Sequence, residues 1–593
     1  MKKTFKSLIQ GLLVLVLSLI ISQTFIMPAQ AEEVTCTWDG SVSSDWATDA
    51  NWDCSDGTSH VPITTDNVVI PDTANDPIYS ETFGFDLNAI DIQAGATLKI
   101  ANAYNIRLDA MTWQIDGTLW FKPTDTWLDM EINPDYRDGV VNIGPTGDLD
   151  LDCEGGALRI YSTFNNSGMV ESLASAQGIA LMGSGVHTGA FADLPVLQLA
   201  AVNPEAEFVF QSESALTLNL LNVTSGHAFI YGSYQPWGTS TSLNIDASNL
   251  TYPPSVTIES TSVTMPEYNI IASGTTLAVR SPLSMPRLSL AGTLNNTSTV
   301  NVTGPFYWSG GGFTGDGTTT VQTGTTSTIN PYGGGTIITQ TLTLAGTTNW
   351  DGNNITLSNN AEIINNGTFN ANATTTMTGG ETEGFVNNGY FFKKTAGTTT
   401  TMNIPFTNNG TVDVVAGTLV FQQGMDNGEN AVIDLGGGTL DPGETLNLES
   451  GDSLIGSGTL EANLVNAGTV SPGNSAGIIT VDGDYTQEVG GTLEIELGGT
   501  TAGTGYDQLV VTGATTLQGT LNVTLMPGFS PQAGDTFFIV NHPTSGTGNF
   551  TVENLPVLPG GLIMEIDYSD PGVTLTVVST STDSFIFLPL ILR

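Results

Sequence analysis

Short runs in which every second residue is apolar fill most of this chain, as in Leu493-Glu494-Ile495-Glu496-Leu497 and Thr520-Leu521-Asn522-Val523-Thr524-Leu525. A period of two places one set of side chains in a core and the other in solvent, so each run predicts a strand. Helical spacing is missing after the N-terminal segment. Between the runs stand Gly, Asn and Thr, the residues of tight turns.

The runs recur with a period near 20. Asn-Asn-Gly begins at Asn365, Asn387 and Asn408, and a variant, Asn466-Ala467-Gly468, follows; Gly-Thr-Leu begins at Gly417, Gly438 and Gly458, and again at Gly117, Gly292, Gly491 and Gly519. A repeat of this length is one coil of a solenoid. Leucine-rich repeats share the length but need a Leu/Asn consensus that this chain lacks, and a propeller blade is about twice as long. Three short strands per coil, joined by turns, fit best. Stacked asparagines would bond up the ladder, and Thr398 to Thr401 would form a β-branched ladder on an outer face. About 20 coils are expected, stacked at about 4.8 Å.

The ends of a solenoid are open sheet edges and need caps. Residues 32–80 carry Cys36, Trp38, Trp46, Trp52 and Cys54 and are assigned as the N-terminal cap; residues 81–476 are the repeats. From 477 to 578 the spacing lengthens, and this stretch is assigned as a C-terminal β-rich module. A Ser/Thr linker and the apolar tail Phe585–Arg593 occupy 579–593. That tail is too short for a membrane helix and reads as a sorting signal or as a docked terminal strand.

Lys2, Lys3 and Lys6, the apolar run Gly11 to Ile21 and Ala29-Gln30-Ala31 form an export signal over residues 1–31, with an uncleaved anchor as the alternative. The expected location is therefore extracellular or at the cell surface, with no membrane-spanning segment in the mature chain. Export permits disulfides, and a Cys36–Cys54 staple packed among the three tryptophans is the expected pairing. Cys153 then remains as a buried core thiol, and no cysteine or histidine spacing suggests zinc.

Residues 290 to 578 resemble the passenger regions of autotransporter-type surface proteins. The likeness is carried by Val465-Asn466-Ala467-Gly468-Thr469-Val470-Ser471-Pro472-Gly473-Asn474-Ser475-Ala476-Gly477, by Ile479 to Tyr485, by Gly491 to Leu497 and by Tyr506 to Val511. The resemblance implies a right-handed parallel β-helix, displayed or secreted and often adhesive. About fifteen residues follow the last module, which leaves no room for a translocator barrel. The fold expected overall is all-β: a right-handed parallel β-helix with an N-terminal cap and a C-terminal β module.

Charge narrows the partners. With 58 acidic against 13 basic residues the formal charge is −45, and Thr395 to Leu592 holds no Lys or Arg, so nucleic acid is excluded as a partner and anionic membranes are disfavoured. The expected role is a noncatalytic structural or adhesive protein whose partner is a cell-surface or extracellular polysaccharide or protein. The rival is a secreted polysaccharide lyase or hydrolase. Against it, the chain has no Asp-Asp dipeptide and only ten basic residues beyond the export signal; Arg107, Arg137 and Arg159 lie near Asp148, Asp150 and Asp152 in sequence and leave a site open there, with a solvated strand face as the commoner meaning. Those three aspartates alternate with Leu149 and Leu151 and form the one candidate metal set, for calcium; no other cofactor is expected. Gly473-Asn474-Ser475-Ala476-Gly477 matches G-x-S-x-G, with Asp507, Asp535 and His542 downstream, but a nucleophile elbow needs a following helix, so a solenoid turn is expected there. Trp113, Trp120 and Trp127, spaced by seven, fall on alternating faces of strands. The histidines are scattered.

Overall fold

A computed structural model describes residues 33–580, apart from 102–103, 123–127, 134, 136–137, 153–155, 173–177, 239, 247–252, 474, 543–545 and 570. The expectations for residues 1–31, Trp127, Arg137, Cys153 and the tail Phe585–Arg593 lie outside the described residues. The chain is nearly all β and forms a β-solenoid of about 19 parallel-stacked turns. It comprises two compact units, Met1–Ala176 and Gln177–Arg593.

In the first unit the alternation seen in the sequence becomes columns of buried side chains. Ile70, Ile92, Ile115 and Ile143 lie in register on successive parallel strands, and Leu98, Leu119, Leu149 and Val170 do the same on a second face. All eight are buried, and each contributes about 1.5–3 kcal/mol by leaving water. The cap packs on the first coil. Thr35–Trp38 pairs antiparallel with Trp52–Cys54 and parallel with Asn67–Ile70. The rings of Trp38 and Trp46 meet Trp52 edge-on at 5.0 and 4.7 Å. Their polar atoms are not wasted: Trp38 Nε1 donates to Asn75 O at 2.7 Å and Trp52 Nε1 to Trp46 O at 2.9 Å.

In the second unit the Asn-Asn-Gly repeats make two ladders. The first asparagines point inward: Asn365 Nδ2 donates to Asn387 Oδ1 at 2.7 Å, and Asn387 Nδ2 to Asn408 Oδ1 at 2.9 Å, all three without solvent exposure. The second asparagines repeat the pattern outside, Asn388 to Asn366 and Asn409 to Asn388, each at 2.8 Å. The glycines serve close approach. A Cβ on Gly389 would stand 2.1 Å from Gly367 O, and one on Gly410 2.2 Å from Gly389 O. Inside the same coils the Phe369 and Phe391 rings stack at 5.3 Å, as do Phe385 and Phe406, and stacked pairs of this kind add about 0.5–1.5 kcal/mol each.

The threonine run differs from expectation. Thr400 points into the core, bonded to Ala373 O at 3.0 Å, because strand alternation sends only Thr399 and Thr401 outward. From residue 477 onward the parallel stacking continues, Thr492–Leu497 on Thr469–Pro472 and Thr520–Leu525 on Thr492–Leu497. Between Gly491 and Gly519 the longer spacing comes from an inserted loop closed by the Leu497–Tyr506 bridge. The stack then ends in antiparallel strands, Gly572–Ser579 lying between Thr536–Asn541 and Leu562–Asp567, which pairs the edge left by Thr536–Asn541.

Candidate functional site

Cys36 and Cys54 face each other across the antiparallel cap strands and are joined as a disulfide with Cα atoms 3.9 Å apart. His60 lies close enough to complete a three-ligand metal set with the two sulfurs. Oxidation takes both thiolates, so the group acts as a staple here.

Asp148 and Asp150 project from one side of the strand Asp148–Leu151, as the alternation predicts, but the coil register decides their company. Glu171 stacks beside Asp150 on one side and Trp120 on the other. Burial, reinforced by Glu171, Asp148 and Asp152, pushes the Asp150 carboxyl up to about 6. Asp152 is neutralised by Lys122, 2.7 Å away, and Lys99 and Lys122 lie over the Trp120 ring at 5.3 and 4.7 Å. This is a mixed-charge surface rather than three free carboxylates.

Arg107 and Arg159 do not join these aspartates. Arg107 and Arg159 flank Glu131 in register on another sheet face, and Arg107 bonds Asp135 at 2.6 Å. The Asp135 hydrogen bond, with Asp135, Asp109 and Glu131 adding charge, holds the guanidinium more firmly protonated than usual, the opposite of what proton abstraction requires. Gly477 leads into the strand Ile478–Val481, not into the helix that a nucleophile elbow requires. Asp507 accepts Gly477 N–H at 2.8 Å and Glu496 N–H at 2.7 Å, so the carboxylate that would orient a histidine is committed to the backbone. Trp113 is in the core with Nε1 on Asn133 Oδ1 at 3.1 Å, while Trp120 faces outward. His187 is buried against Phe210, and burial drives its ring pKa down to about 3.

Cavities open in both units. One, about 480 Å³, lies in the cap between Trp46, Val61, Ile63, Tyr79 and Phe85, with Glu81 and Asp86 at its edge. A polar one of about 290 Å³ in the second unit is lined by Asn360, Glu362, Thr382 and Glu383 beside the side-chain gap at Gly384.

The most extended feature is the outer face of the second unit. One outward position per coil runs in register through Gln198, Asn222, Asn244, Ile270, Ser289 and Tyr307, and on through Thr328, Asn349, Asn370, Phe392, Asp413 and Asp434. A neighbouring row runs through Thr326, Thr347, Thr368, Tyr390 and Thr411. The alternation identifies these positions as outward-facing, but only the coil register aligns them. Among the described residues no helix is long and apolar enough to cross a membrane. A family model described as a domain of unknown function (DUF8693) matches residues 37–124, the cap and the coils that follow it. No curated protein matches the chain.

Proposed function

We propose that this protein is an exported, noncatalytic β-solenoid with a structural or adhesive role at the cell surface. The observation that carries the reading is the outer face just described: side chains able to hydrogen-bond recur in most coils between Gln198 and Asp434, an arrangement suited to many weak contacts with an extended partner. An acidic chain of formal charge −45 keeps such flat strand surfaces apart in solution. The engagement of Arg107 by carboxylates and of Asp507 by backbone weighs against the lyase and hydrolase alternatives.

The test compares the full chain with one lacking Phe585–Arg593 in a native-like host, by protease shaving and fractionation. Retention of the full chain on intact cells, with release of the shortened one, is the expected result. Both forms in the medium would overturn the surface role, and turnover of a polysaccharide by the purified chain would overturn the noncatalytic one.

A further inference from the structure

On one strand both outer rows are aromatic at once, whereas Ile270 and Tyr307, both exposed, interrupt the polar side chains elsewhere. Tyr390 and Phe392, two residues apart on one strand, present near-parallel rings 5.8 Å between centroids and 9° between planes, with Tyr390 54% exposed. The preceding coil contributes Thr368 and Asn370 at these positions, and the following one Thr411 and Asp413.

Phe392 therefore lies between two acceptors. Asn370 is 7% exposed and its amide donates to Asn349 Oδ1 at 2.9 Å, yet its own Oδ1 is buried and has no hydrogen-bond partner. Asp413 Oδ1 is likewise buried and unpartnered. A buried acceptor left without a donor costs about 1–3 kcal/mol, so two of them beside one aromatic pair mark a place where a donor is missing. Lys394 Nζ lies over the Phe392 ring, 3.9 Å from its centroid, and covers one of its faces. Asp434 stacks beyond Asp413, and the two carboxylates repel each other; burial first and Asp434 second push Asp413 up to about 6.

From this arrangement we infer that Tyr390, Phe392, Asn370 and Asp413 form a carbohydrate-binding platform for an uncharged polysaccharide. The apolar face of a pyranose ring packs on the exposed Tyr390 ring, which Phe392 holds in place by stacking on it. Its hydroxyls donate to Asn370 Oδ1 and Asp413 Oδ1, which satisfies both orphan acceptors. Asp413 and Asp434 exclude glycans rich in uronate or sulfate by like-charge repulsion. The inference rests on the adhesive reading and names the chemistry of the partner.

The probes are immobilised neutral glycans (cellulose, xylan, laminarin and mannan) and two anionic ones, polygalacturonate and alginate, offered to the purified full chain. Binding to at least one neutral glycan and to neither anionic one is expected. Phe392→Ala and Tyr390→Ala are each expected to weaken that binding about tenfold or more, and Asp413→Leu to weaken it while the rings remain. Tyr332→Ala, at a tyrosine 90% exposed elsewhere, leaves it unchanged. Circular dichroism and melting of every variant establish that the fold is intact. No neutral glycan bound, a preference for the anionic ones, or equal binding by Phe392→Ala and the wild type each overturns the platform. A chain retained on cells that binds no neutral glycan overturns the platform alone. One found only in the medium overturns the surface reading, whatever the glycans show.

Discussion

Replacing Asn387 by alanine cuts the inner ladder at its middle rung. The wild-type amide accepts from Asn365 Nδ2 at 2.7 Å and donates to Asn408 Oδ1 at 2.9 Å and Thr411 O at 3.0 Å. A longer contact to Gly389 O at 3.3 Å shares the same two amide hydrogens, so three hydrogen bonds at about 1 kcal/mol each set a loss of about 3 kcal/mol. The stranded partners limit the damage, since Asn365 Nδ2 keeps Tyr390 O at 3.0 Å and Asn408 Oδ1 keeps Gly410 N–H at 3.2 Å. A solenoid transmits stability mainly between neighbouring coils, so the loss stays local. The assay is native-state hydrogen exchange at the backbone amides of Tyr390 and Thr411, which donate to Gly367 O and Gly389 O across the coil boundaries. A loss of 3 kcal/mol corresponds to about a hundredfold faster exchange there. Asn388→Ala, which cuts the solvent-exposed ladder, is the control, with an effect of about 0.5 kcal/mol or less. Equal acceleration in the two variants, or acceleration spread evenly along the chain, would refute the assignment of the stabilisation to the buried ladder.

Lys393 is fully buried, its Nζ bonded to Thr398 Oγ1 and to Ala371 O at 3.4 Å, and burial lowers its pKa from 10.5 to about 8. The folded value lies below the unfolded one, so the cost of about 3 kcal/mol is full below pH 8 and falls away as pH rises toward 10.5. Lys393→Met is therefore expected to match or exceed wild-type stability in urea at pH 7, with the difference shrinking at pH 9.5; a less stable variant at pH 7 contradicts this. His187, with a folded pKa near 3 against 6.5 when free, makes the protein lose stability as pH falls between those values, by roughly 4 kcal/mol in all. His187→Phe is expected to flatten that part of the stability–pH curve measured by thermal melting. Gly389→Ala must force coils apart, whereas nothing stands within 4 Å of a Cβ at Gly384; paired melting curves should show a large loss for the first and little for Gly384→Ala. Opening the Cys36–Cys54 bridge, which closes a separation of 18 residues, is expected to cost the cap about 3 kcal/mol, read as earlier proteolysis N-terminal to Ile70.

What the sequence determined by itself is whatever depends on nearest neighbours along the chain or on a constant repeat. Alternation placed Leu149 and Leu151 inward and Asp148 and Asp150 outward, because successive side chains in a strand leave opposite faces. The spacings of 22 and 21 between Asn365, Asn387 and Asn408 foretold a ladder, since equal coils bring equal positions into register.

Tertiary structure decided everything that depends on the length of an individual coil. Trp120 and Asp150 are 30 residues apart, Asp150 and Glu171 only 21, and these unequal steps set which charges share a surface. They also carried Arg107 and Arg159 to Glu131 rather than to the aspartates that stand near them in sequence. The glycines of Asn-Asn-Gly read as turn formers, but the neighbouring coil's carbonyl is what excludes a side chain there, a contact invisible until the coils are stacked. The same stacking put Asn370 and Asp413 on either side of Phe392, because the hydrogen-bonded ladder between strands fixes which residues become neighbours in space.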